Sequence, residues 1–222
     1  LIGGIGPAAT DYYYRKIIAA YAESSLELEL IIAHADAPTL LRNLQNDDRK
    51  SQVEIYTRLT NRLKTAGADF VVITSIAGHF CIEEFKVKSP LPVIDLIEAV
   101  REEVELKGYS RLGILGTERV MRSEFYGALG NTKVVTPPPS MLAKVHAAYV
   151  ELTSSGLVTG PQRETLSEAC GELIEDFGVD AVLLGGTDLA LVFDEETSVF
   201  PIVDCAAIHS RKVISVAMNS IF

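Results

Sequence analysis

Ser75 and Gly186 hold the same place in two copies of one motif, so one copy ends on a hydroxyl and the other on no side chain at all. The first copy runs Gly67-Ala68-Asp69-Phe70-Val71-Val72-Ile73-Thr74-Ser75 and is followed by Pro92-Val93-Ile94-Asp95. The second runs Gly178-Val179-Asp180-Ala181-Val182-Leu183-Leu184-Gly185-Gly186 and is followed by Pro201-Ile202-Val203-Asp204. A serine hydroxyl donates or relays a proton when a base activates it, whereas glycine does neither. On the Gly186 side the nearest titratable residue is Asp188, with the hydroxyl of Thr187 between them. Ser75, Asp188 and the Gly186 position are the candidate catalytic positions. A half-site present twice predicts two strand ends facing each other across one cleft.

In open parallel sheets, ligands bind beyond the carboxyl ends of the strands. The segments expected there are Gly4 to Pro7, His34 to Asp36, Thr74 to His79, Thr117-Glu118 and Gly185 to Asp188. Glycines and small hydroxyl residues leave backbone N–H groups open at helix N-termini, where a carboxylate or phosphate is stabilised. Gly6, Pro7, Asp36, Ala77, Thr117, Gly185 and Thr187 are the expected substrate-binding positions. A second carboxylate on the ligand calls for a cation, ideally an Arg fork. Arg42, Arg49 and Arg119 are the candidates, with Arg119 preferred because it directly follows Thr117-Glu118. The bland alternatives are that the glycines make tight turns and that the arginines are solvated.

Gly4-Ile5-Gly6-Pro7-Ala8-Ala9 formally fits the dinucleotide fingerprint, but Asp36 lies 30 positions past Gly6. The fingerprint expects its acidic residue about 20 positions on, and Pro7 removes an N–H that a pyrophosphate would use. Neither a P-loop nor a G-x-S-x-G elbow is present. His34-Ala35-Asp36 and the scattered His79, His146 and His209 lack metal-ligand spacing, so no metal is expected. His79 is expected to cap or pack a helix start, and His209 to satisfy a buried carbonyl.

Short apolar runs alternate with helical patterns. Strands are predicted at Leu1-Ile2, Leu28 to Ala33, Phe70 to Thr74, Val93-Ile94, Arg111 to Leu115, Lys133 to Val135, Ala181 to Leu184 and Ile202-Val203. Helices are predicted at Ala8 to Ser24, Ser51 to Ala66, Leu96 to Lys107, Ser123 to Leu129, Pro139 to Ser154, Pro161 to Phe177 and Ala206 to Ser220. This rhythm implies β-α-β units with parallel sheets covered on both faces. Gly4 to Gly67 spans 63 positions and Gly116 to Gly178 spans 62, so the repeat covers each half. The predicted fold is α/β, with two similar α/β domains built on parallel central sheets. The first comprises residues 1–100 plus 206–222 and the second residues 101–205.

The chain has 222 residues, 48% hydrophobic and 23% charged, as in ordinary folded proteins. A formal charge of −10 argues against nucleic-acid or anionic-membrane partners, which require a dense basic face. Three cysteines without a C-x-x-C pair fit a reduced, cytoplasmic chain. No apolar run reaches membrane-spanning length. Leu1 begins inside a predicted strand, which leads to the expectation that an initiator Met and some residues precede it.

Together these segments resemble the aspartate/glutamate racemases. Gly3-Gly4-Ile5-Gly6-Pro7 is similar to that family's G-G-M-G-P loop, and Ser75-Ile76-Ala77-Gly78-His79 stands where the family has C-N-T-x-H. Gly186-Thr187-Asp188 stands where it has C-T-E. Thr117-Glu118, Ser123 and Tyr126 follow T-E-x-T-x-x-S-x-x-Y, with Val120 in place of the middle Thr, and Pro201 to Asp204 with His209 resembles the closing P-[IV]-x-D…[IL]-H. The resemblance covers essentially the whole chain. It implies a cofactor-independent isomerase of small carboxylate amino acids, in which one thiolate removes the α-proton and a second thiol returns one on the opposite face. It also implies a homodimer, for which the helix carrying Tyr12, Tyr13, Tyr14 and Tyr21 is the expected interface.

This chain departs from that pattern at both thiols. Ser75 is a far weaker acid than a thiol, whose pKa is roughly 8.5, and the missing side chain at Gly186 predicts extra room for a bulkier substrate or a water. Cys81 and Cys205 are poorly placed as replacements. The leading reading is a racemase-like isomerase with altered acid/base groups. The alternatives are a catalytically silent relative that binds a carboxylate ligand and a dinucleotide-dependent enzyme.

Overall fold

The computed structural model describes residues 1–195 and 197–219. Among the described residues the chain forms two compact units, Leu1–Leu96 with residues 209–219, and Ile97–Ile208.

The first unit begins with β1 (Ile2–Gly3) and α1 (Pro7–Ala22), whose Pro7 sits in the first helical turn, where its missing N–H and fixed φ suit the start of a helix. β2 (Ala33–His34) leads into α2 (Ala37–Gln45), then α3 (Arg49–Thr65), β3 (Val71–Val72), α4 (Ile82–Lys88) and β4 (Val93–Ile94). Asp36 and Asp48 cap α2 and α3 by accepting from Thr39 N at 3.0 Å and Ser51 N at 3.0 Å. β1 pairs parallel with β2 and β3 with β4, and a parallel bridge between Ile2 and Ile73 joins the two pairs. The strand order is therefore β2-β1-β3-β4.

The second unit holds most of α5 (Leu96–Lys107), then β5 (Arg111–Gly116), α6 (Glu118–Arg122), β6 (Lys133–Val135), α7 (Pro139–Ser155), α8 (Gly160–Glu175), β7 (Ala181–Gly185) and β8 (Ile202–Asp204). Its parallel sheet has the order β6-β5-β7-β8, the same as in the first unit. Every residue of β7 is buried, and successive strand side chains point to opposite faces, so the sheet is covered on both sides. The chain closes with α9 (Cys205–Asn219), and the predicted helix end at Ser220 lies outside the described residues.

Register supports the internal repeat. Val71 pairs with Val93 in the first unit and Val182 with Ile202 in the second, so counting four residues on places Ser75 and Gly186 at equivalent points. Gly4 and Gly116, which end the first strand of each half, have φ +152 and +158. A side chain there would meet the Ala35 carbonyl at 2.8 Å and the Gly185 carbonyl at 2.5 Å respectively.

All eight predicted strand regions carry strand, although the second is confined to Ala33–His34 rather than running from Leu28. α2 and α4 are helices that the apolar spacing does not announce. The expected helix from Ser123 to Leu129 is absent. α6 ends at Arg122, and Glu124, Phe125 and Tyr126 have φ of 51, 59 and 61. Phe125 is fully buried at this turn, so packing holds a left-handed conformation that costs non-glycine residues of order 1 kcal/mol each.

Candidate functional site

In the first unit the β3 strand end leads through Thr74 and Ser75 into a 3₁₀ turn at Ala77–Cys81. Thr74 is buried, shares a 2.9 Å hydrogen bond with the Thr10 hydroxyl and donates to the Ile2 carbonyl at 3.3 Å, which ties this strand end to β1 and α1. Ser75 Oγ accepts a long bond from Gly78 N at 3.4 Å. That turn geometry occupies the hydroxyl as an acceptor and supplies no base to activate it.

The two buried histidines beside this turn are locked as neutral groups. His79 Nδ1–H donates to the Ser75 carbonyl at 2.6 Å, which leaves Nε2 to accept from Leu96 N, at the start of α5, at 3.4 Å. His209 Nε2–H donates to the Ile94 carbonyl at 3.0 Å, and its Nδ1 accepts from the Tyr13 hydroxyl at 2.8 Å. Burial lowers the pKa of both, that of His209 to about 3. A neutral ring with both nitrogens bonded is a poor proton acceptor, so both histidines are structural, His209 on the buried carbonyl expected of it and His79 at the start of α5 rather than of the helix that follows Ser75.

Gly186, at the matching end of β7, has φ −148 and ψ 122, an extended backbone that any residue adopts. Its lack of a side chain is a matter of space. A Cβ there would stand 2.5 Å from Cζ and 2.7 Å from the hydroxyl of Tyr149, on α7. The extra room expected beside Gly186 is thus filled by an aromatic ring, which corrects the expectation of a bulkier substrate or a water in that place. The Tyr149 hydroxyl donates to Asp188 Oδ2 at 3.2 Å, and both residues are buried. Burial first and the Asp188 charge second hold the phenol well above the usual tyrosine range. Between them in sequence, Thr187 is 2% exposed, and its hydroxyl has no hydrogen-bond partner among the described residues.

Of the other expected positions, Gly6 and Ala77 are buried, Pro7 is exposed and Gly185 is packed against Ile114 and the Leu115 carbonyl. Asp36 is exposed, and its bonds to Thr39, which lower its pKa, engage it as the cap of α2. Thr117 caps α6 by accepting from Val120 N at 3.3 Å, and Arg119 lies half-buried on that short helix. Arg42 is exposed and donates to Thr39, while Arg49 pairs with Asp47 and Glu84. A side chain at Gly4 would meet the Ala35 carbonyl, and Gly6 caps α1 with φ +71, so close packing and a left-handed turn account for the two glycines of the fingerprint. Cys81, Cys170 and Cys205 are buried, and burial pushes all three thiols up, the first two to about 12. None is a thiolate at neutral pH.

Tyr149 is the residue that the sequence reading missed. It lies 37 positions before Gly186 inside an ordinary amphipathic helix, and the one signal for it was the missing volume at Gly186 itself.

Residues 2–213 match the sequence model of the family described as Asp/Glu/Hydantoin racemase. A glutamate racemase of Corynebacterium kroppenstedtii is 29% identical over 65% of this chain and 50% of its own length. The chain thus spans about half the length of the first curated relatives it matches. A broad specificity amino-acid racemase of Bacillus subtilis is 22% identical over 97% of this chain and 96% of its own. Among solved structures, an aspartate racemase homologue from Pyrococcus horikoshii superposes with a TM-score of 0.79 at 26% identity, covering 98% of each chain.

Proposed function

The chain belongs to the Asp/Glu/Hydantoin racemase family, and from that membership we propose that it moves a proton at the α-carbon of a small carboxylate amino acid without a cofactor. The observation that carries the proposal is the Thr187 hydroxyl. It is buried and unpartnered at the matched strand end, and a polar group left so costs about 1–3 kcal/mol until something bonds it. A substrate carboxylate supplies that partner. The relatives named as glutamate and broad specificity amino-acid racemases support this ligand class.

The reading assigns one chemical group to each half of the chain. Ser75 and Asp188 are the candidates, with Gly6, Pro7, Ala77, Thr117, Gly185 and Thr187 as binding positions and Arg119 for a distal carboxylate. With no base on Ser75 and no thiol at 186, two-thiol racemisation is absent. The test is α-proton exchange, followed by NMR, for each enantiomer of aspartate and glutamate in deuterated buffer. Exchange with inversion supports a working racemase, and exchange with retention supports a single acting group. Silence with all four rejects the activity.

A second reading is a silent relative that binds the carboxylate and does no chemistry. It is favoured by Ser75, whose hydroxyl, among the described residues, accepts a single long bond from Gly78 N. Measurable binding without exchange would select it. A cytoplasmic homodimer belongs to the proposal as well. Tyr13 and Tyr21 of α1 are buried within the protomer, while Tyr14 and Ile18 are 44% and 40% exposed and stand one turn apart on a face suited to a second copy. Among the described residues no helix is long and apolar enough to cross a membrane.

A further inference from the structure

The second half-site has a side chain in the thiol's place, supplied by a different element. Tyr149 reaches from α7 into the volume that a residue at 186 would fill, and its hydroxyl oxygen stands 2.7 Å from the Cβ position there. The phenol is oriented, because its proton is committed to Asp188 Oδ2 at 3.2 Å. We propose that Tyr149 and Asp188 together form the proton-transferring group of this half-site, Tyr149 contacting the substrate and Asp188 accepting the proton behind it. The inference rests on the amino-acid reading above.

The step balances without any other reactant. The α-C–H bond breaks and leaves its electron pair on the α-carbon. The phenol oxygen takes that proton while its own O–H proton passes to Asp188, so Tyr149 is neutral before and after and the carboxylate becomes a carboxylic acid. The return step runs the same path backwards, from Asp188 through Tyr149 to the carbanion. A phenol held un-ionised by burial suits this relay, since the phenolate never has to accumulate. The Thr187 hydroxyl, between Gly186 and Asp188, is available to the substrate carboxylate as charge develops.

Two further features fit the assignment. Gly186 has no conformational need for glycine, so its residue type answers to Tyr149. The left-handed turn at Glu124 to Tyr126 belongs to the same unit as Tyr149, and strained backbone of this kind concentrates at functional sites.

The decisive variant is Tyr149→Phe, which keeps the ring and removes the relay oxygen. Exchange of the α-proton of aspartate or glutamate in deuterated buffer should fall about 10²–10⁴-fold, while binding of the same amino acid, followed by its own NMR line width, stays. Asp188→Asn should show a similar loss. The double variant should lose no more than either single, because the two residues act as one unit. If the wild type exchanges and Tyr149→Phe exchanges equally fast, Tyr149 is a space-filler, and the relay is overturned while the amino-acid reading stands. Additive losses in the double variant would also overturn the relay. A wild type that exchanges nothing overturns the activity itself, and the relay with it.

Discussion

The Ser75 and Gly186 strand ends share register, sheet order and the 3₁₀ turn that follows, yet they are furnished in opposite ways. In the first unit the side chains at the strand end are engaged from within: Thr74 by Thr10 and Ile2, Ser75 as an acceptor in its own turn, His79 by Ser75 and Leu96. In the second unit the position itself is vacant, a helix supplies the side chain, and one hydroxyl is left without a partner. A duplicated backbone thus preserves where a group must stand without preserving which residue provides it. Matching the copies position by position finds the glycine and misses the tyrosine ring that fills its place.

The largest expected effect separates the two ends chemically. Asp188→Asn should remove both exchange and inversion at the α-carbon, by about 10²–10⁴-fold. Ser75→Ala should leave exchange in place, because the relay proposed for the second unit does not include it. NMR of the α-proton together with chiral chromatography reads both quantities. If Ser75→Ala abolishes exchange as well, the division of labour between the halves is wrong.

The next effect is steric and needs no substrate. Gly186→Cys, the change that would restore a thiol, should destabilise by about 1–3 kcal/mol, as overpacked cores do, because its side chain runs into Tyr149. In a chain of this size that lowers the melting temperature by roughly 2–4 °C per kcal/mol. Ser75→Cys should be tolerated, and Tyr149→Leu, which withdraws the clashing ring without emptying the site, should recover part of the stability lost by Gly186→Cys. Restoring the thiol pair therefore takes three substitutions, and a stable Gly186→Cys protein would show that Tyr149 yields easily.

Acidification should then weaken the first unit more than the second, since His79 and His209 are buried there, whereas His146 of the second unit is half-buried. Both buried rings have folded pKa values below the unfolded value of about 6.5, so between those limits the unfolded chain binds more protons. Above pH 6.5 neither state gains. As pH falls from about 6.5 toward 3, His209 costs roughly 1.4 kcal/mol per pH unit, and His79 adds a cost of the same sign. Hydrogen exchange at pH 7 and pH 5 should show amides of β1, β3 and β4 losing protection before those of β5 and β7, and the reverse order would contradict this account.

The smallest effect compares two buried hydroxyls. Thr74→Val should cost on the order of 1–2 kcal/mol, because it strands the buried Thr10 hydroxyl, while the Ile2 carbonyl keeps the Thr74 backbone N–H. Thr187→Val should be neutral or slightly stabilising in the free protein and should weaken amino-acid binding. Thermal melts with and without aspartate or glutamate distinguish the two.

Much of the frame could be read from local pattern. The Gly67 and Gly178 motifs, with their Pro-x-x-Asp partners, predicted strands whose register the structure then shows to be equivalent. Continuous apolar runs at Val71 and Val182 announced buried parallel strands for the same reason. What could not be read depended on long-range packing. Phe125 is buried at positive φ, where local propensity favours a right-handed turn. Tyr149 is one aromatic among the apolar residues of a helix, and nothing in its neighbours says that it points at a glycine 37 residues away. Arg49 looked available until folding brought Glu84 against it.

The burial of all three cysteines carries a consequence of another kind. Peroxide and alkylating reagents act on exposed thiolates, and among the described residues this protein offers none. A relay through Tyr149 and Asp188, as proposed, contains no thiol, so peroxide should leave its exchange activity unchanged.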